Sequence, residues 1–267
     1  MSKSKEPAAP NQSVTISLND IGVKYLTSLQ RIYDITTFSM ASARLINETN
    51  YDEFARTLQV MPNASTRMNF DRAKEEAERW LFRNSLTDAL SIVIPLLEDC
   101  RTVCALARWK VSKERKDADL QKITVDDRTA FLRMTLRDKF KHLKDVFGLA
   151  SELESNIESL ARTRACLAQE GGKVGERATG ADEEDLVLRL KTVQFINTPV
   201  TGQNQEVSLN VSRQFAEIEK TFKKGEAIEL SKMEQAAAII TITIFVTNLL
   251  EGVQKFVKDS GAADQPA

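Results

Sequence analysis

Only one histidine, His142, occurs in 267 residues, with three cysteines, ten glycines, six prolines and two tryptophans. Each scarcity removes a class of protein. So few glycines leave no room for a P-loop or a dinucleotide fingerprint: the glycines of GGKVGERATG, 171–180, follow no strand and match neither spacing. Cys100, Cys104 and Cys166 are an odd number without framework spacing, which excludes a disulfide scaffold. Cys100 and Cys104 share a helix face, but zinc needs about four ligands and only Cys166 and His142 remain, so no metal site is expected. Reduced thiols point to a cytoplasmic protein. No long hydrophobic run is present either. The most apolar tract, AAAIITITIFVTNLL (236–250), is interrupted by threonines and falls short of the roughly 20 residues that cross a bilayer, so it reads as a core helix with no membrane partner. Charge of one sign is missing too: 37 basic against 38 acidic residues give a net charge of −1, unlike a polybasic nucleic-acid or membrane coat. MSKSKEPAAPNQS lacks the apolar stretch of a secretory signal. Ser39 and Ser85 have no histidine at a telling spacing, and the pairs Glu98-Asp99 and Asp126-Asp127 have no second acidic pair to build a two-metal site. No organic cofactor is implied.

What is abundant is Ala, Leu, Glu, Lys and Arg in helical periodicity. Val23, Leu26, Leu29, Ile32, Tyr33 and Leu45 mark a helix from Asn19 to about Asn47, and a short one is expected over 51–59, ended by Pro62. The strongest stretch runs from Phe70 to Val111, with Trp80, Leu86, Leu90, Leu97 and Cys104 on its apolar side; Pro95 should kink or split it near Ile94. Trp80 and Trp109 are expected as core or bundle-end anchors. After a charged hinge at 112–122, Thr124 in T-V-D-D is a plausible N-cap for a helix to Phe147, whose buried stripe is Leu136, Phe140, Leu143 and Phe147. Further helices are expected over 151–169, 183–196, 206–223 and 231–258, the last opened by the capping box S-K-M-E. Loops fall at 171–185 and 197–205, and the segment 225–230 is the one short stretch that reads as extended. The pattern predicts an all-α protein, an antiparallel bundle of about six to eight helices filling residues 17–258, with disordered tails at 1–16 and 259–267.

The chemistry concentrates at LRDKFKHLKDVFG, 136–148. Histidine both gives and takes protons near neutrality, and arginine's planar fork suits phosphate oxygens. Asp138 and His142, four apart, lie on one helix face, where the carboxylate can orient the imidazole. Arg137, Asp138 and His142 thus supply a phosphate clamp, an orienting acid and a proton carrier, a minimal set for metal-independent RNA cleavage with the 2′-hydroxyl as nucleophile. Arg137 and His142 are about 140° and roughly 7.5 Å apart on an ideal helix and do not share a face; a shared site calls either for the long arginine to swing partly around or for two copies to meet across a symmetric interface. Residues 108–144 hold twelve Lys and Arg against six Asp and Glu, an excess of six positive charges that would draw a phosphate backbone. Arg133, Lys139, Lys141 and Lys144 are the expected RNA contacts.

Arg137-Asp-Lys-Phe-Lys-His142 matches R-x4-H with a polar residue after the arginine, which resembles the signature of the HEPN superfamily. The resemblance covers about a dozen residues. It implies an all-α, usually dimeric protein of the prokaryotic toxin–antitoxin or anti-phage type, with the motif at the dimer interface and metal-independent endoribonuclease activity in many members. Arg137 and His142 would then be catalytic, with Asp138 in the polar slot, RNA as substrate and an antitoxin or other protein as a possible partner. The competing expectation is a non-enzymatic helical scaffold or regulatory binding module, its interface drawn from apolar tracts such as 236–250.

Overall fold

The computed structural model describes residues 17–57, 68–114, 116–176, 179, 185–201 and 207–262. The expected tail 1–16, the Pro62 stop and residues 263–267 lie outside the described residues. Of the expected C-terminal tail, Asp259 closes the last helix and Ala262 is buried.

Local signals set the helix starts. Ser17 caps α1 (Leu18–Leu45) by accepting from the Asp20 N–H at 3.2 Å, and α2 spans Glu48–Thr57. Asn69 caps α3 (Phe70–Ser91), and α4 (Val93–Val111) follows after a break at Ile92. That break comes where Pro95 predicts it: the proline sits in the first turn of α4, where its missing N–H loses no hydrogen bond. The helix expected from Thr124 to Phe147 is instead several pieces. α5 (Asp117–Gln121) runs through a π-helical turn, Lys122–Asp126, into α6 (Asp127–Arg133), and α7 is Leu136–Phe147. Thr124 lies inside the π turn with its hydroxyl donating to the Leu120 carbonyl at 2.7 Å, so it caps nothing. The cap is Thr135, and Gly148 (φ 69°) ends α7 in the left-handed conformation glycine favours. α8 spans Glu154–Gln169, and α9, Lys232–Asp259, begins with the expected Ser231/Glu234 capping box.

The largest departure lies between α8 and α9. The segments expected as helices over 183–196 and 206–223 form one antiparallel hairpin, β1 (Asp185–Thr201) and β2 (Val207–Lys223). The protein is mostly helical with a two-stranded sheet, not all-α. Leu186, Leu188 and Leu190 explain the strand: they alternate along β1 and each is fully buried, and only a period of two puts all three on one face. Opposite them stand Phe222, Lys220 and Ile218. The outer edge of β1 is sealed by hydroxyls: the Arg189 N–H donates to Ser159 Oγ at 3.2 Å and the Lys191 N–H to Thr241 Oγ1 at 2.7 Å. Those two helix residues satisfy groups an edge strand otherwise leaves open. The segment 225–230 contributes one isolated antiparallel bridge, Lys173 to Ala227.

α4 and α9 hold the centre of the core, with Leu96, Leu97, Cys104, Ile242, Phe245 and Val246 almost inaccessible. α9 has the length and composition of a membrane span, and half of its most apolar window is buried inside the protein. Trp80 departs from expectation at 58% exposure. α1 departs in a more informative way: Tyr25, Leu29 and Thr36 face inward, while Val23, Leu26, Tyr33 and Leu45 remain exposed. The helix therefore carries two apolar stripes and buries one.

Candidate functional site

The local sequence TLRDKFKH folds as a capped helix start, and this decides the fate of the expected site. Thr135 accepts from the Asp138 N–H at 3.2 Å while its hydroxyl donates to Asp138 Oδ2 at 2.7 Å. The carboxylate expected to orient His142 is thus engaged one turn earlier. Lys139, expected to contact RNA, is 2% exposed. Its ammonium donates to the Leu132 and Met134 carbonyls at the end of α6 and lies 5.5 Å from the Phe131 ring centroid; burial pushes its pKa down. Arg133, Arg137, Lys141 and Lys144 are exposed. Two more members of the basic stretch are engaged within the chain: Arg128 pairs with the buried Glu98 at 3.0 Å, and at the surface Arg108 donates to the Val146 carbonyl at 2.7 Å.

His142 is half-buried between two rings, 5.5 Å from Phe131 and 6.2 Å from Phe147, centroid to centroid, both edge-on. Burial holds the imidazole below its ordinary pKa and the charge of Arg101 adds to that, while Asp127 and Asp145 oppose it. As the only imidazole in the chain it gives one set of ring resonances in a proton NMR titration, with an expected midpoint below about 6.5. The folded state binds this proton less well than the unfolded state. The associated stability is therefore present above pH about 6.5 and is lost as the pH falls through the folded value. A midpoint at or above the ordinary value would contradict this environment.

An arginine that the spacing along α7 does not reveal, Arg101 of α4, lies beside His142 against the Phe131 ring. It is 2% exposed, and its Nη2 donates to the Ile123 carbonyl in the π turn and to Thr102 Oγ1, both at 3.0 Å. Its guanidinium carbon stands 5.8 Å from the Phe131 centroid, and its Nε is buried without a partner. Arg101, Lys139 and His142 therefore all lie against Phe131; the hydrogen bonds of Arg101 tie α4 to the π turn and those of Lys139 tie α7 to the end of α6. Chemically this is a joint. The sequence signal that pointed to it is an arginine inside the apolar tract LLEDCRTVCALA, whose neighbours are all buried or half-buried.

Open volume lies elsewhere, along α1 and α9. One cavity of about 270 Å³ is bounded by Tyr33, Met40, Arg44, Phe82, Lys232 and Ile239, with Thr36, Ser85 and Gln235 as its polar lining. Thr36 and Ser85 hydrogen-bond at 2.6 Å, and Gln235 Oε1 is buried without a partner. A second cavity of about 700 Å³ continues past Tyr33 and Ile239, lined by Leu26, Ile240, Thr243, Ile244 and Glu251, with Phe215 of β2 on its flank. The first joins the C-terminal half of α1 to the start of α9 and the second joins the N-terminal half to its end, so the helices run antiparallel; a Cβ on Gly22 would lie 3.5 Å from Leu250 Cδ1. Among the described residues no group of three His, Cys, Asp or Glu side chains gathers as a metal site. Compared with known proteins, the chain matches no family model, no curated protein and no solved structure.

Proposed function

We propose that this chain is a non-enzymatic, cytoplasmic helical binding protein, an antiparallel bundle whose working surface is the α1–α9 groove. One observation carries the reading: the exposed stripe of α1 and the half-exposed stripe of α9 border two adjoining, mostly apolar cavities that share Tyr33 and Ile239, a shape suited to an amphipathic helix with anchors at i, i+3, i+4 and i+7. A photo-crosslinking amino acid placed at Ile240, in full-length protein inside cells, is expected to give discrete protein adducts, while the same group at Thr27 on the solvent side of α1 gives none. Groove positions that yield no adduct would sink the reading.

The ribonuclease reading has its own favouring observation. Arg137, Lys141 and Lys144 stand at i, i+4 and i+7, all exposed, a cationic stripe on α7 suited to a phosphate backbone. The binding-protein reading expects no RNA cleavage in EDTA from the purified chain and no difference on His142→Ala. Cleavage that leaves 2′,3′-cyclic phosphate ends and disappears in that variant would replace it with an RNA-cleaving toxin or defence effector.

A further inference from the structure

We propose that the occupant of the α1–α9 groove is a second copy of this chain, bound about a twofold axis near Tyr33 and Ile239; the inference rests on the binding reading above. Three observations carry it. First, the charges at the two ends of the groove are complementary under that symmetry. Arg44 lies at one end and Glu251 at the other, and among the described residues neither is ion-paired. A twofold axis through the middle brings Arg44 of each copy toward the partner subunit's Glu251, the self-complementarity an isologous contact demands.

Second, the area suffices. The groove runs from Leu26 to Arg44 on α1 and from Lys232 to Glu251 on α9, so at 1.5 Å per residue and about 10 Å per helix width the face measures about 30 by 20 Å, the low end of the area per partner in a stable interface.

Third, the hairpin sets an exposed aromatic residue beside the groove. Over 185–191 the even-numbered positions of β1 pack into the core, and the odd-numbered face carries cross-strand ion pairs, Arg189–Glu219 at 3.1 Å and Lys191–Glu217 at 2.7 Å. Beyond these pairs Val193 is in register with Phe215. Phe215, on that odd face, is 58% exposed and flanks the groove. Val193 and Phe215 thus form an apolar cross-strand pair on the face opposite the buried leucines, beside the groove. A two-stranded ribbon is marginal by itself in water; a partner seated in the groove would cover it. This interface differs from the one implied for an R-x4-H protein, since α7 packs on the opposite, buried side of α9 through Phe140 and Phe245 at 5.7 Å between centroids.

The test is sedimentation velocity on the full chain from micromolar to millimolar concentration. Wild type is expected at twice the chain mass and Ile240→Asp at the chain mass. Glu251→Lys and Arg44→Glu each set like charges opposite one another and should weaken self-association about ten-fold; the double variant should restore it. Both sites are exposed, and unchanged circular dichroism and melting confirm that the variants fold. A wild type that stays at the chain mass throughout, or a double variant no better than the singles, overturns the second-copy assignment. If Ile240 then crosslinks other proteins in cells, the binding reading stands without it; if Ile240 crosslinks nothing, both fall.

Discussion

Arg101→Ala is expected to lower the free energy of unfolding by about 3–5 kcal/mol, the scale of a large-to-small cavity plus an orphaned buried carbonyl, and the melting temperature by about 6–20 °C. Two losses add. The Ile123 carbonyl, part of the π turn, loses its donor, and a hole opens against Phe131 where the guanidinium stood. Arg101→Met separates them. The methionine stem fills most of the volume and removes a desolvated charge whose Nε has no partner, so only the orphaned carbonyl remains, about 1–3 kcal/mol. Denaturant unfolding of the three proteins checks the order wild type, methionine, alanine. An alanine variant as stable as wild type would overturn the description of this residue as the pin of the joint.

Lys139→Ala is expected to rank second, at about 2–4 kcal/mol, because its ammonium satisfies the two carbonyls that close α6 and both lose their donor. Lys141→Ala, two residues away and exposed, is the control, with a change of about 0.5 kcal/mol or less. The contrast is wide because the two lysines sit 200° apart on one helix: one turns into the interior, the other into water. Thermal melts decide it, and equal losses at the two positions would contradict the burial of Lys139.

Much of the helical part is legible in the sequence because its signals are local. The Ser231/Glu234 box, the 3.6-residue stripe Leu136–Phe140–Leu143–Phe147, Pro95 and Gly148 all act within a turn or two of themselves. The hairpin was hidden because its residues favour helix as single letters: Glu, Leu, Arg and Lys recur through 183–191 and 216–224. Only the alternation Leu186–Leu188–Leu190 speaks for a strand, and the groups that hold it, Ser159 and Thr241, lie 30 and 50 residues away. The site divides the same way. The resemblance carried by Arg137 and His142 is local, and so is the Thr135 cap that draws Asp138 away, legible as T-x-x-D. The placement of Arg101 beside His142 comes from α4 meeting α7, which no spacing along the chain encodes. The second apolar stripe of α1 was legible as residues, in Val23, Leu26 and Tyr33, but hydrophobic periodicity does not distinguish a stripe that is buried from one that is left open.

The antiparallel pairing of the first and last described helices has a consequence for how the chain is made. Among the described elements α1 is synthesised before all the others and α9 after them. The inward stripe of α1, Tyr25 and Leu29, has to wait for α9 before it is fully covered, and the base of β1 cannot seal its edge until Thr241 has been added. Folding of the core therefore waits for the translation of α9, and a nascent chain stalled before residue 232 carries uncovered apolar faces on α1, α4 and β1 together. Such truncated chains are expected to be chaperone-bound and protease-sensitive as a class, with protection arriving in one step when α9 is released rather than helix by helix.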